Sequence, residues 1–139
     1  MADFKPCFGK ASLEKLDLAD NRLQNVARLA LEWGIMDFAV VESFRDKLTQ
    51  DRYHQSGKSK VAWPDGKHNK QPAQALDLAP FINGKISWDS RHCLAMAGII
   101  LAAGKTLGVP LRWGGNWDRD GEPVTDQDFQ DLVHFEIDG

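Results

Sequence analysis

The chain reads as one α+β domain in which helices pack on a small antiparallel sheet. Three observations carry that reading. Two stretches, 12–33 and 89–108, repeat apolar residues at roughly helical spacing. Four short runs, 38–44, 74–80, 109–113 and 133–137, have strand character, and such a mixture belongs with layered α+β domains. A length of 139 residues suits a single domain, 1–139, with 1–11 as an N-terminal arm. A chain of this size buries roughly two-thirds of its unfolded surface, enough for a core without staples.

Taken in order, Ser12 is placed to cap a helix whose apolar positions include Leu13, Leu16, Leu23, Val26, Ala27, Ala30 and Trp33. The pattern slips at 17–20, so two short helices are as consistent with it as one. Gly34 supplies the stop. Residues 38–44 form a strand, and 49–71, polar and broken by Gly57, Pro64 and Gly66, form a long loop. In the strand 74–80, alternation puts Ala75, Asp77 and Ala79 on one face and Leu76 and Leu78 on the other. Asp89 caps the next helix, whose stripe is Leu94, Ala97, Ile100, Leu101 and Leu107, ending at Gly108. A strand over 109–113, a polar loop over 114–128 and a last strand over 133–137 complete the chain.

A net charge of −3 argues against nucleic acid as the main partner, since neutralising phosphates needs a basic patch. The two cysteines, Cys7 and Cys93, have no metal-site spacing and read as free thiols, Cys93 in the core. No apolar run is long enough to span a membrane, and the N-terminus has no apolar signal segment. The expectation is a protein made in the cytoplasm and needing another agent to reach anything outside it.

Three residues stand out chemically: His68, Asp77 and His134. Asp77 lies inside an otherwise apolar strand, where an unpaired carboxylate is costly, so it needs a cation, either a metal or an arginine. Two imidazoles and one carboxylate are the ligand set of an open catalytic zinc site. Ligation without thiolate suits zinc, although iron and manganese are chemically admissible. Spacing alone does not separate this set from two ordinary histidines and a buried ion pair.

Asp131 precedes His134 by three residues and is a candidate acid/base group. In an extended strand the two would point to opposite faces, so their cooperation requires a tight turn over 126–131; otherwise Asp131 and Asp128 belong to a solvated acidic loop. Arg45 is either a helper that holds a carbonyl oxygen or a surface arginine in a salt bridge. Glu136 shares a strand face with His134 and either accepts its ring N–H or is exposed. Trp113 and Trp117 flank Gly114 and Gly115, where backbone can approach a ligand closely; the tryptophans either wall a pocket or plug the core. His54 and His92 read as solvated or helix-surface residues.

The segments that carry these residues resemble the M15 family of zinc peptidases. The run His68-x-x-Gln71-Pro72-x-x-Ala75-x-Asp77-Leu78 and the later Asp131-x-x-His134-Phe135-Glu136 look like its motifs, and within it like the phage endolysins that cut the L-alanyl-D-glutamate bond of peptidoglycan. The resemblance extends to 37–45 and 111–117, and covers the chain from about Ser12 onward. It departs at Gly66, where the family commonly has Ser, and over 46–67, which has its own sequence.

The resemblance implies the small zinc fold shared by D-Ala-D-Ala peptidases and the Hedgehog signalling domain. It implies one zinc per chain on His68, Asp77 and His134, with Asp131 and Arg45 catalytic and Trp113 and Trp117 at the substrate cleft. Asp rather than Glu at 131 favours the phage endopeptidases over the carboxypeptidases. It further implies an endolysin acting on peptidoglycan stem peptides, waiting in the host cytoplasm until a holin-like pore admits it to the periplasm. A monomer is the default for a small hydrolase, and charge and hydropathy argue against a nucleic-acid or membrane partner. The alternatives are a D,D- or L,D-carboxypeptidase of the same family and a non-catalytic zinc-stabilised binding module.

Overall fold

The structure is a computed structural model and describes residues 4–124 and 130–139. Two short helices open it, α1 over Lys10–Leu16 and α2 over Asn21–Glu32. The break falls where the apolar pattern slips, because Asp20 caps α2 by accepting the Arg22 N–H at 2.9 Å. Ser12 is not the cap expected of it. Helix α1 starts earlier, after Gly9, and the buried Ser12 hydroxyl instead accepts the N–H of Val40 at 3.0 Å on the neighbouring strand.

That strand, β1, runs Phe38–Glu42, two residues shorter than expected, because Ser43 turns away to donate to the Lys15 carbonyl at 2.6 Å. The region expected to be a loop contains helix α3, Lys47–Gln55, and a 3-10 turn, Lys67–Asn69. Asp46 caps α3 by accepting the Thr49 N–H at 2.9 Å. Its only buried residue is Gln50, so there is no apolar stripe to betray a helix.

Strand β2, Ala75–Ile82, returns through Asn83 and Gly84 to the two-residue β3, Lys85–Ile86, an addition to the expected elements. Helix α4, Ser90–Leu107, is capped by Asp89 and stopped at Gly108, whose φ of 69° and ψ of 25° lie in the left-handed region. Its buried face is Cys93, Met96, Ala97, Ile100, Ala103 and Gly104. The expected stripe was rotated: Leu94 and Leu107 are 41% and 44% exposed, and small residues take the contact because α2 and the sheet approach closely. Strands β4, Leu111–Gly114, and β5, Asp131–Ile137, complete the fold.

All pairings between strands are antiparallel, in the order β1-β2-β5-β4, with β3 attached to β2. Helices α2 and α4 pack on each other, and α4 lies on β2, β4 and β5. The core between them holds Leu76 and Leu78 of β2, Phe135 and Ile137 of β5 and Trp113 of β4, with Leu23, Val26, Met96 and Ile100 from the helices. Alternation therefore turns Asp77, between the two leucines, to the other face of the sheet. No helix among the described residues is long and apolar enough to cross a membrane.

Candidate metal centre

Asp77 and His134 are direct partners in the β2–β5 register, and such partners share a face. His68 arrives from the 3-10 turn, which is tied to the chain just after β1. The Arg45 N–H donates to the His68 carbonyl at 2.8 Å, and the Asn69 amide donates to the Arg45 carbonyl at 3.0 Å. Gly66 fits this turn, because its N–H donates to Asn69 Oδ1 at 3.0 Å and a Cβ there would meet that oxygen at 2.7 Å.

The three candidate ligands close into a triangle. His68 Nε2 is 3.1 Å from Asp77 Oδ1 and 3.2 Å from His134 Nδ1, which is 3.3 Å from the same carboxylate oxygen. All three residues are buried. The remaining ring nitrogens set the tautomers. His68 Nδ1 lies 2.6 Å from the Ser43 carbonyl, which can only accept, so the proton sits on Nδ1 and the Nε2 lone pair faces the triangle. His134 Nε2 lies 2.8 Å from Glu136 Oε1, so its proton sits there and Nδ1 faces inward. Glu136 is in turn held by Arg112 through a 2.9 Å bond to its other oxygen.

Two lone pairs and a carboxylate thus converge with no donor of their own between them, which calls for a cation. A tetrahedral ion with bonds of about 2.0 Å holds its ligand atoms roughly 3.3 Å apart, so the triangle fits a metal of zinc's size. The electrostatics agree. Burial would raise the Asp77 carboxyl, but when protons rather than a metal occupy the triangle, the charge and N–H groups that the His68 and His134 rings then turn toward it hold it well below the usual range. Burial would lower His134, but the Asp77 and Glu136 carboxylates outweigh it and push the ring up to about 9. The same negative surroundings that bind that proton favour a dication in its place.

The triangle opens into a cleft of about 1030 Å³ whose lining includes Arg45, Tyr53, Asp131 and Trp117. No turn at 131 brings Asp131 to it, because Asp131 is already the first residue of β5; the rest of the expected turn, 126–129, lies outside the described residues. A register shift does the work instead. Trp113 pairs with Phe135 while the next residue, Gly114, pairs with Asp131, so Leu132, Val133 and His134 form a bulge that re-aims the strand's start. Burial raises the Asp131 carboxyl, and the Asp77 charge adds to that effect against the opposing His134, His68 and Arg45. A raised carboxyl beside a candidate metal is suited to moving protons.

Arg45 is buried, unlike the surface arginine also considered for it. Its Nε and one terminal nitrogen clasp Glu42 at 2.8 and 3.0 Å, and its other terminal nitrogen donates to Gln50 at 3.0 Å. The guanidinium also stands 4.0 Å from Asp77 Oδ2 and 4.6 Å from the centre of the Tyr53 ring. Each terminal nitrogen keeps one further N–H.

The tryptophans separate. The Trp117 ring centre is 5.6 Å from that of His134 and forms part of the cleft wall. Trp113 is a core residue, 5% exposed, with its indole N–H on the Leu132 carbonyl at 2.9 Å. Strand alternation places Trp113 in the core, since its neighbour Arg112 takes the cleft face opposite Glu136, whereas Trp117 lies beyond the end of β4 and is free of that alternation. Gly114 and Gly115 admit protein rather than ligand, since a Cβ at the first would collide with the Asp131 carbonyl and at the second with the Trp113 ring.

Ser43, Gln50 and Arg112 are site residues that the sequence did not single out. Alternation through 111–113 was a signal for Arg112; Ser43 acts through its backbone carbonyl, which no side-chain pattern reports. His54 is exposed and His92 bonds Ser87 Oγ at 2.6 Å, and neither joins the triangle.

The sequence is 36% identical over 116 residues to the L-alanyl-D-glutamate peptidase of Escherichia phage T5, an alignment spanning 83% of this chain and 84% of that one. Among solved structures, the L-Ala D-Glu endopeptidase ChiX of Serratia marcescens superposes with a TM-score of 0.77 over 95% of this chain and 90% of that one, at 25% identity. Residues 3–137 match the sequence profile of the phage L-alanyl-D-glutamate peptidases. With nearly the whole chain matched, and the mixed α/β architecture shared, the chain belongs to the phage L-alanyl-D-glutamate peptidase family.

Proposed function

We propose that this chain is a zinc endopeptidase of the endolysin type that hydrolyses the L-Ala–D-Glu amide of peptidoglycan stem peptides. The observation that supports it best is the donor triangle, with both imidazole tautomers set by hydrogen bonds and a raised carboxyl, Asp131, beside it. His68 Nε2, Asp77 Oδ1 and His134 Nδ1 would hold the metal. Zinc there supplies Lewis acidity, which acidifies water to a pKa of about 7 and polarises an amide carbonyl.

The chain's own groups have separate tasks. Asp131 accepts a proton from the attacking water and delivers it to the D-Glu nitrogen as the amide breaks. Arg45, clasped by Glu42 and Gln50, presents its remaining N–H groups to the carbonyl oxygen as charge develops on it. Trp117 forms a wall against which the peptide lies. Residues 1–139 act as one peptidase domain, as a monomer, and the endolysin reading includes release from the host cytoplasm to the periplasm through a holin-like pore.

Digestion of purified peptidoglycan with and without a chelator tests the proposal. Mass analysis is expected to find chelator-sensitive release of peptides that begin at D-Glu. Release of single terminal D-alanine would make the enzyme a carboxypeptidase, and absence of any chelator-sensitive product would leave only a binding module.

A further inference from the structure

The wall of the cleft formed by 57–61 is built around Gln50. This amide is 1% exposed and uses all its hydrogen-bonding capacity. Its oxygen accepts from Arg45 at 3.0 Å and from Asn69 at 3.2 Å. Its nitrogen donates to Ser59 Oγ at 3.0 Å and to the Val61 carbonyl at 2.6 Å. The Ser59 N–H closes the wall onto α3 by donating to the Tyr53 carbonyl at 3.0 Å.

The wall thus held displays a cation. Lys58 Nζ stands 4.1 Å from the centre of the Tyr53 ring, and both residues line the cleft. Among the described residues no carboxylate pairs with it. Its surroundings are basic as well: 45–70 carries seven Lys and Arg against three Asp, in a chain whose net charge is −3. An ammonium parked on an aromatic face beside a cleft, with its charge uncompensated, is suited to receiving an anion from the ligand.

The substrate class named in the preceding section carries such an anion. A glutamate whose nitrogen is in the scissile amide and one of whose carboxyls continues the chain has a second carboxyl outside the chain, which is an anion unless it is amidated. We infer that Lys58, braced by Tyr53 and by the Gln50-anchored wall, is a specificity residue that binds this free glutamyl carboxylate on the leaving side of the cut bond. The inference rests on the L-Ala–D-Glu reading of the site. The enzyme accordingly distinguishes stem peptides with a free carboxylate from those in which it is a primary amide.

The test compares kcat/KM for two synthetic stem peptides, one with the free carboxylate and one with the primary amide, using the zinc-loaded full chain. A partly exposed ion pair contributes up to about a fivefold preference. Wild type is expected to favour the carboxylate peptide by about that factor, chiefly through KM. Lys58→Ala should remove the preference while leaving the amide peptide's turnover and the zinc content unchanged. Lys58→Arg should restore the preference, and Lys58→Glu should reverse it. Equal loss on both peptides in Lys58→Ala, or a preference that survives it, would overturn the subsite while leaving the endopeptidase reading intact. A zinc-loaded wild type that cuts neither peptide would overturn both.

Discussion

His134 and Glu136 stand two residues apart on β5, on one face of the strand, with Nε2 of the ring 2.8 Å from Oε1 of the carboxylate. This contact fixes which nitrogen of His134 faces Asp77 and His68, and Arg112 fixes Glu136 in turn at 2.9 Å. Groups that orient a ligating histidine typically contribute 10- to 100-fold in metal affinity. Glu136→Gln should therefore weaken zinc binding by about that factor in competition with a chromophoric chelator. Wild-type affinity in the variant would show that ring orientation is set elsewhere.

The triangle itself predicts one metal per chain. Elemental analysis of purified His68→Ala and His134→Ala should show near-complete loss of zinc, because removing either imidazole leaves two donors. Stoichiometric metal in both variants would refute the ligand assignment.

Arg45 has two duties that a substitution can separate. Its clasp on Glu42 is structural, whereas its remaining N–H groups serve the carbonyl oxygen. Arg45→Lys keeps the charge but loses the planar fork. A lost donor to a developing oxyanion typically costs about 10²-fold in kcat, so turnover should fall by that order with zinc content near wild type, while the lost bonds to Glu42 and Gln50 lower the melting temperature. Unchanged turnover would confine Arg45 to the structural duty.

For Asp131, the isosteric Asp131→Asn keeps the bulge and the shape but cannot take up a proton. Positioned proton transfer typically contributes about 10²–10⁴-fold, so at least two decades of turnover should be lost with zinc retained. Joint loss of zinc and activity would make Asp131 a ligand. Full activity would send the proton by another route.

The candidate triad could be named from the sequence chiefly through the family resemblance; an isolated Asp in an apolar strand is costly, so Asp77 signalled a need for a cation, but spacing alone left two ordinary histidines and a buried ion pair open. The helices with apolar faces and four of the five strands were legible through periodicity, whereas the slip at 17–20 left one helix or two open and the two-residue β3 was not anticipated. Helix α3 was not, because a helix that buries one glutamine has no apolar period. The exposed face of α4 was misread because its close packing selects small residues over the leucines that hydrophobicity alone favours.

What the sequence determined by itself was therefore the fold class, the family motifs and the residue types of the candidate metal centre. The fold class follows from local periodicity, and the motifs and candidate ligand types rest on the family resemblance together with the chemistry of single side chains. Tertiary structure alone decided which lone pairs meet. The Asp77–His134 register, the bulge that turns Asp131 toward them, the core placement of Trp113 and the Gln50 knot all depend on contacts between segments distant in the chain. Such pairings are set by the packing of the whole sheet against its helices, and no local pattern encodes them.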